Sequence, residues 1–233
     1  MSSNYRIPFH SRLLRPVLKA IFRGIFHILA KVIVSGRENV PYGQAYVVAI
    51  NHVSLYDPPF AVSFWPEIAE VMGAVDVWHR PGQNVLVNLY HGIPVHRGDY
   101  DRRLIDKVLA VLRSGRPLLI APEGERSHVP AMQRAKPGIA HILEEARVSV
   151  VPVGILGTTD DFWQRASHGE RPRIEMRIGK PFRLPPVEGK GAKRRLARQR
   201  NADLVMSHIA GLLPEAYRGV YTGTAILPSL LDG

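Results

Sequence analysis

The stretch Tyr46-Val47-Val48-Ala49-Ile50, followed by Asn51-His52-Val53-Ser54-Leu55-Tyr56-Asp57 and Pro58-Pro59, decides the fold. Its first five residues are apolar and predict a buried strand, and Asp57-Pro58-Pro59 is typical of the first turn of a helix. Residues five apart on one helix lie roughly 140° apart around its axis. His52 and Asp57 can therefore converge only if His52 lies in the strand-to-helix turn and Asp57 points back. Because α/β sheets hold ligands at the carboxyl ends of strands, we expect a chemical site here.

Two interpretations of this pair remain open on these residues alone. A neutral imidazole held by a carboxylate, without a strong nucleophile beside it, indicates a general base acting on a hydroxyl or on water. Alternatively, Ser54-x-x-Asp57 fits a capping box, in which the serine caps the helix and the acid reaches back to the backbone. Ser54 is interpreted as a cap rather than a nucleophile, since no Gly-x-Ser-x-Gly elbow surrounds it.

Composition limits the class of protein. A chain of 233 residues with 45% hydrophobic residues is long enough for one well-buried α/β domain. The absence of cysteine excludes disulfides, thiolate zinc sites and cysteine nucleophiles, and it fits a cytosol-facing protein. A formal net charge of +11 predicts an anionic partner, which could be nucleic acid, anionic lipid or a phosphorylated substrate.

Residues 12–34 predict a basic amphipathic helix. Basic residues recur every four positions among Leu, Ile, Val, Phe and Ala: Arg15, Lys19, Arg23, His27 and Lys31. The four permanent cations, at about 2.5–3.5 kcal/mol each near a bilayer centre, disfavour a membrane-spanning helix. We expect a helix in the membrane surface with its cations toward anionic headgroups; the alternative is a helix packed on the protein's own core.

The remainder of the chain alternates strands and helices. This alternation predicts a single α/β domain over residues 36–213, with a central mostly parallel or mixed sheet flanked by helices, after an N-terminal membrane-surface helix over 1–35. Residues 214–233 are assigned to a C-terminal tail. The predicted strands are 45–50, 69–75, 93–95, 118–121, 149–155 and 174–178. The predicted helices are 58–65, 83–90, one capped by Asp99 or Asp101 and ending at Gly115, 137–146 and 192–213.

Three further blocks contain glycine or proline; the first two place charge at predicted strand ends, and the third is an apolar strand broken by proline. They are Gly92-Ile93-Pro94-Val95-His96-Arg97, Ala121-Pro122-Glu123-Gly124-Glu125-Arg126-Ser127 and Val150-Val151-Pro152-Val153-Gly154. An arginine fork suits bidentate phosphate binding, and glycine lets backbone N–H groups approach an anion. Arg97 and Arg126 therefore favour a phosphate-bearing ligand. Pairing of each arginine with an acid such as Glu123, or simple solvation, is the alternative.

In their order and spacing, the four blocks resemble the glycerolipid acyltransferase family, which includes the lysophosphatidic-acid acyltransferases. Asn51-His52-x4-Asp57 is similar to the first family motif, and residues 92–97, 122–127 and 151–153 are similar to the other three. Lys136-Pro137-Gly138 is also family-like. Two positions depart from the family's usual Phe-Pro-Glu-Gly-Thr-Arg-Ser: Ala121 replaces the aromatic residue and Glu125 replaces the threonine. Since a carboxylate at 125 would repel an acceptor phosphate, we expect it to point away or the acceptor to differ.

The resemblance implies transfer of a fatty acyl group from acyl-CoA or acyl carrier protein to a lysophospholipid hydroxyl. The first expected acceptor is 1-acyl-glycerol-3-phosphate, which would give phosphatidic acid in phospholipid biosynthesis. It implies His52 and Asp57 as catalytic residues, with Arg97, Glu123, Gly124 and Arg126 as substrate-binding residues. It further implies a peripheral or monotopic location on the cytoplasmic face of a membrane.

Rival functions stay open: another lysolipid acceptor, a thioesterase using the same His/Asp pair, or a basic membrane- or nucleic-acid-binding module. The basic run Lys193, Arg194, Arg195, Arg198 and Arg200 is interpreted as a solvated helix face, and no nucleic-acid motif accompanies it. We therefore expect no nucleic-acid partner. His79, His91 and His96 lack zinc-ligand spacing, and neither a Gly-x-Gly-x-x-Gly nor a P-loop occurs, so we expect no metal and no bound cofactor.

Overall fold

A computed structural model describes residues 5–96, 101–127, 129–224 and 226 of the chain. Its helices and strands, in chain order, are α1 (Phe9–Leu29), β1 (Lys31–Ser35), β2 (Tyr46–Ile50), α2 (Asp57–Phe64), β3 (Glu70–Ala74), α3 (Gln83–Tyr90), β4 (Ile93–Val95), α4 (Arg102–Arg113), β5 (Leu118–Ile120), α5 (Gly138–Ala146), β6 (Ser149–Leu156), α6 (Phe162–Ser167), β7 (Arg173–Ile178), α7 (Gly191–Gly211) and α8 (Glu215–Arg218). Short 3₁₀ turns at Arg37–Asn39, Val75–His79 and Gly219–Thr224 complete the described secondary structure.

The strands form one seven-stranded sheet in the order β1-β7-β6-β2-β5-β3-β4. Every neighbouring pair is parallel except β6 and β7, so β1 and β7 run opposite to the other five strands. The sheet is therefore mixed, and the predicted α/β class with a mixed sheet flanked by helices is confirmed. β2 lies between β5 and β6, and all five of its apolar residues are buried, as expected for a strand covered on both faces.

The boundaries of α4 show how local sequence chemistry fixes an element. Asp101 accepts hydrogen bonds from the backbone N–H groups of Arg103 at 2.8 Å and Leu104 at 3.3 Å, which is the capping geometry expected of an aspartate. At the other end, Gly115 has a φ of 80°, the left-handed conformation that terminates many helices. The helix predicted from an acidic cap and a glycine stop is thus confirmed with Asp101 as its cap.

The N-terminal helix is shorter than the predicted span 12–34. α1 ends at Leu29, and Lys31–Ser35 forms β1, paired in parallel with β7. The continuous β-branched run Val32-Ile33-Val34 favours a strand over a helix, and it pairs along the open side of β7. Arg171 closes the helix by donating a hydrogen bond to the carbonyl oxygen of His27 at 2.7 Å. The division of the chain at residues 35 and 213 stays a prediction.

Arg15 and Lys19 of α1 face the protein, which corrects the prediction that they face headgroups. Arg15 is 1% exposed, and its two terminal nitrogens each lie 2.7 Å from a carboxylate oxygen of Glu70. Lys19 donates to the carbonyl oxygens of Trp65 at 2.7 Å and Glu67 at 2.9 Å, and burial lowers its pKa to about 8. The spacing of basic residues along the sequence shows that the helix has a basic face and an apolar face. It does not show which of the two faces packs against the rest of the protein.

The outward face of α1 is consequently apolar. Six large hydrophobic side chains along one side of the helix are exposed: Phe9, Leu13, Val17, Ile21, Ile25 and Ile28. We call these six residues the outer stripe. On the opposite side, Phe26 is buried against Phe60 and Phe64 of α2. Within the described residues, no helix is long and apolar enough to cross a membrane.

Candidate active site

The site is built where three adjacent strands end. β2 leads into the turn 51–56, β5 leads into residues 121–127, and β6 leads into residues 157–159. Because β5 and β6 flank β2 in parallel, their carboxyl ends meet at one edge of the sheet. The loops carrying the first and third sequence blocks therefore lie beside the loop that follows β6, the strand that contains the fourth block.

His52 and Asp57 converge at this edge. The imidazole Nδ1 of His52 lies 3.1 Å from Oδ2 of Asp57. Asp57 is fully buried, whereas the His52 side chain is 18% exposed. His52 lies in the turn and Asp57 is the first residue of α2, so the carboxylate reaches back along the chain to the ring.

Asp57 also binds the backbone of the turn that precedes it. Its Oδ2 accepts hydrogen bonds from the N–H groups of Val53 and Ser54, both at 2.7 Å. The carboxylate thus orders the turn and contacts the imidazole at once, which combines the two alternatives that the sequence left open. The interpretation of Ser54 as the helix cap is wrong: its hydroxyl accepts from the N–H of Tyr56 at 3.0 Å, and the cap position of α2 has no side-chain hydrogen bond.

These contacts determine the tautomer of His52. An ionised carboxylate only accepts hydrogen bonds, so the ring nitrogen facing it carries the proton. This assignment follows from the hydrogen-bond network, with Nδ1–H donating to Asp57. The lone pair of Nε2 then remains available to accept a proton from a substrate.

Glu123 connects the third block to the first. Its Oε1 accepts from the backbone N–H of His52 at 2.8 Å, and its Oε2 accepts from that of Gln133 at 2.7 Å. The side chain is fully buried, and this burial raises its pKa to about 7; the two backbone bonds oppose the shift, while the charge of Asp57 adds to it. Both oxygens are used within the protein, and direct contact between Glu123 and a substrate stays a prediction.

The residues after Glu123 are more open to solvent. Gly124 has a φ of 76°, and a Cβ there would lie 3.0 Å from Cγ of Lys136, so this turn favours glycine. Arg126 is partly exposed and pairs with Asp160 at 3.0 Å. Glu125 lies 3.8 Å from Nζ of Lys136, which agrees with the expectation that it would turn to a basic neighbour.

Arg97, the remaining predicted substrate-binding residue, lies outside the described residues. The strand before it, β4, is described and pairs with β3 in parallel. Its carboxyl end therefore lies on the same edge of the sheet as those of β2 and β5.

Two polar residues were not predicted as site residues, although one of them, Asn51, belongs to the first sequence block. Asn51 donates from Nδ2 to the carbonyl oxygen of Ile155 at 2.9 Å and accepts from its N–H at 2.7 Å, joining the ends of β2 and β6. Thr158 donates its hydroxyl proton to Oδ1 of Asp57. The available signal was a hydroxyl three residues after the predicted strand 149–155, but its use required knowing that this strand lies beside β2.

One group of potential metal ligands occurs among the described residues, and it lies on α5. Ligand atoms of His141, Glu144 and Glu145 lie within 4.8 Å of one another. Glu144 already pairs with Arg194 and Arg198, each at 2.7 Å, so two cations occupy its oxygens. Two arginines of the basic run on α7 are thereby used in pairing.

Comparison with known proteins adds to this geometry. A family model described as Acyltransferase matches residues 31–156. The chain is 25% identical over 134 residues to a 1-acyl-sn-glycerol-3-phosphate acyltransferase of Borreliella burgdorferi, covering 57% of this chain and 54% of that protein. It is also 25% identical over 166 residues to the 1-acyl-sn-glycerol-3-phosphate acyltransferase alpha of Ovis aries, covering 70% of this chain and 56% of that protein. The chain therefore spans about half the length of the curated relatives it matches.

A solved structure shares the fold. The crystal structure of the 1-acyl-sn-glycerophosphate (LPA) acyltransferase PlsC from Thermotoga maritima superposes with a TM-score of 0.60 at 21% sequence identity. The match covers 84% of this chain and 79% of that chain.

Proposed function

Because this chain belongs to the acyltransferase family, we propose that it transfers a fatty acyl group from a thioester to a lysophospholipid hydroxyl. The first acceptor to consider is 1-acyl-glycerol-3-phosphate, which would give phosphatidic acid; the donor is acyl-CoA or acyl carrier protein. The observation that carries the proposal is the His52–Asp57 pair, in which a buried carboxylate fixes one ring nitrogen and leaves the other for substrate.

In the proposed reaction, Nε2 of His52 removes the proton of the acceptor hydroxyl as its oxygen attacks the thioester carbonyl carbon. Asp57 stabilises the imidazolium that forms. Collapse of the tetrahedral intermediate breaks the carbon–sulfur bond, and the departing thiolate takes the proton from His52. The products are an ester and a free thiol, and no acyl-enzyme forms.

The residues proposed to bind the substrate are Arg97, Glu123, Gly124 and Arg126. Arg126 supports this role because its guanidinium is accessible at the edge where His52 lies. Pairing of Glu125 with Lys136 keeps that carboxylate engaged elsewhere, so it supports an anionic acceptor in spite of the unusual residue.

We place the protein at a membrane surface, as a peripheral or monotopic enzyme on the cytoplasmic face. The support is the outer stripe of α1, whose Phe9 and Ile28 are 74% and 73% exposed. A continuous apolar stripe on a surface helix is typical of a segment that lies in the headgroup boundary. Anionic lipid is still the expected partner, but the contact is made by hydrophobic side chains rather than by Arg15 and Lys19.

The decisive experiment measures thiol release from an acyl-CoA in the presence of a panel of lysolipids and glycerol 3-phosphate. We expect release that depends on the acceptor in the native protein and is lost in His52→Ala, with binding to vesicles unchanged. Turnover retained by His52→Ala would remove His52 as the base. Release that is equally fast without any acceptor would instead identify a thioesterase.

A further inference from the structure

Thr158 lies behind the His52–Asp57 pair on the side away from the imidazole. It is fully buried, and its hydroxyl donates to Oδ1 of Asp57. The other oxygen, Oδ2, faces the ring of His52 and the N–H groups of Val53 and Ser54. Among the described residues, Thr158 is therefore the partner of Oδ1 of Asp57, the oxygen that does not face the turn 51–56.

The position of Thr158 is fixed by the end of β6. In the pairing with β2, Ile50 lies opposite Val153, and β6 continues three residues further to Leu156. The amide of Asn51 binds both backbone groups of Ile155, which extends this pairing past the end of β2. The loop after β6 is thus held directly beside the turn that carries His52.

Gly157 makes the turn that brings Thr158 back toward α2. Its φ is 80°, and a Cβ at this position would lie 2.1 Å from the carbonyl oxygen of Arg173. Only glycine fits such a close approach of two backbones. The backbone conformation at Gly157 therefore restricts the position of Thr158 and places its hydroxyl beside Asp57.

We propose that Thr158 is a positioning residue of the acyl-transfer site, acting on His52 through Asp57. The torsion that turns a carboxylate about its Cβ–Cγ bond is broad, so contacts on one oxygen alone fix its plane poorly. A hydrogen bond on Oδ1 holds the plane so that Oδ2 stays directed at Nδ1 of His52. This inference rests on the proposed function, and it adds to the reaction a residue outside the four sequence blocks.

The test compares Thr158→Val, which keeps the shape but removes the hydroxyl, with Thr158→Ser, which keeps the hydroxyl. We expect Thr158→Val to lower kcat about 10- to 100-fold, as is typical when an outer partner of a reacting group is lost, with the KM of the acceptor within about twofold. Thr158→Ser should retain at least about a third of native kcat by the same reasoning. Thr159→Val is the matched control, because this neighbouring hydroxyl bonds to Asp161 rather than to Asp57.

A double-mutant cycle separates positioning from a merely structural role. If Thr158 acts through Asp57, adding Thr158→Val to Asp57→Asn should change the residual activity by less than about threefold. The melting temperature is measured for every variant, so the cycle can be interpreted even if Thr158→Val is less stable than the native protein. A purely structural effect of Thr158→Val would lower activity in both the native and the Asp57→Asn backgrounds.

Three results would overturn the inference: native kcat in Thr158→Val, equal loss in Thr158→Ser and Thr158→Val, or full additivity with Asp57→Asn. Each of these requires that the native protein first shows acceptor-dependent transfer. Absence of transfer in the native protein would instead contradict the proposed function itself.

Discussion

The loops after β2 and β5 lie side by side but differ in how firmly their charges are held. In the first, Asp57 is buried and both of its oxygens accept hydrogen bonds. In the second, Glu125 and Arg126 are accessible and each pairs with a single partner, at 3.8 and 3.0 Å. Glu123 is part of the second loop in sequence, but its carboxylate binds the backbone N–H of His52 in the first loop. The difference indicates that the pair proposed to transfer the proton is firmly held, whereas the groups proposed to meet the acceptor can exchange partners.

The largest expected effect comes from the buried carboxylate. Asp57→Asn should lower kcat by roughly 10³-fold or more, because an amide cannot hold the imidazole in the required tautomer or stabilise its protonated form. The measurement is the steady-state rate with a saturating acceptor. Asp160→Asn makes the same chemical change in the partner of Arg126 and should leave kcat within about twofold. An equal loss of kcat in Asp57→Asn and Asp160→Asn would contradict the proposed difference between the two loops.

The next effect concerns stability and pH, and it separates Glu123 from Glu125. The folded protein raises the pKa of Glu123 from 4.5 to about 7, so the native state binds this proton more tightly than the unfolded state. The stabilisation is therefore full below pH 4.5 and is lost as the pH rises to about 7. The loss is on the order of 3 kcal/mol. Glu123→Gln should flatten this part of the pH dependence, measured by urea unfolding at pH 5 and pH 8.

Glu125→Gln is the control for that experiment, since Glu125 is exposed and lies in the same loop. Its stability should follow the native protein at both pH values. A flattened profile in Glu125→Gln, or an unchanged one in Glu123→Gln, would show that the buried carboxylate is not the group responsible.

A smaller effect is expected at Arg126. Arg126→Gln should raise the KM of a phosphate-bearing acceptor about tenfold while kcat changes less than twofold, because a charge-assisted hydrogen bond at a partly exposed group contributes about 1.5 kcal/mol. Arg165→Gln, which removes a surface arginine paired with Glu170, serves as the control and should leave KM unchanged. A fall in kcat without a change in KM would place Arg126 in the chemical step instead.

The smallest effect is expected at Glu125. Replacing it with threonine breaks an exposed pair with Lys136, which contributes at most about 0.5 kcal/mol. We expect the KM of the acceptor to fall by less than about threefold, measured as for Arg126. A change of tenfold or more would mean that the carboxylate points into the site.

The sequence predicted what local patterns determine. The strand 93–95 and the helix 83–90 are observed at the predicted residues, since each is bounded by glycine, proline or a change of polarity. Contacts between residues on different strands could not be predicted from the sequence. Thr158 binds Asp57 because β6 lies beside β2, and no local pattern gives that strand order. The same limit explains α1, whose predicted outward cation Arg15 is bound by a glutamate 55 residues away.

The pairing of Arg15 with Glu70 has a mechanical consequence. Withdrawing Arg15 would leave the buried carboxylate of Glu70 to a more distant cation, Arg116 at 3.8 Å. Breaking a buried ion pair by removing one partner costs about 3–5 kcal/mol, so α1 is not free to swing away from the domain. A protein that meets lipid through such a helix does so as one rigid body. Because α1 packs on α2, and α2 begins at Asp57, the proposed contact of α1 with a membrane would fix the height of His52 above the hydrocarbon. Under the proposed function, the distance that an acyl chain must span from the membrane to His52 would then be set by the protein's own dimensions.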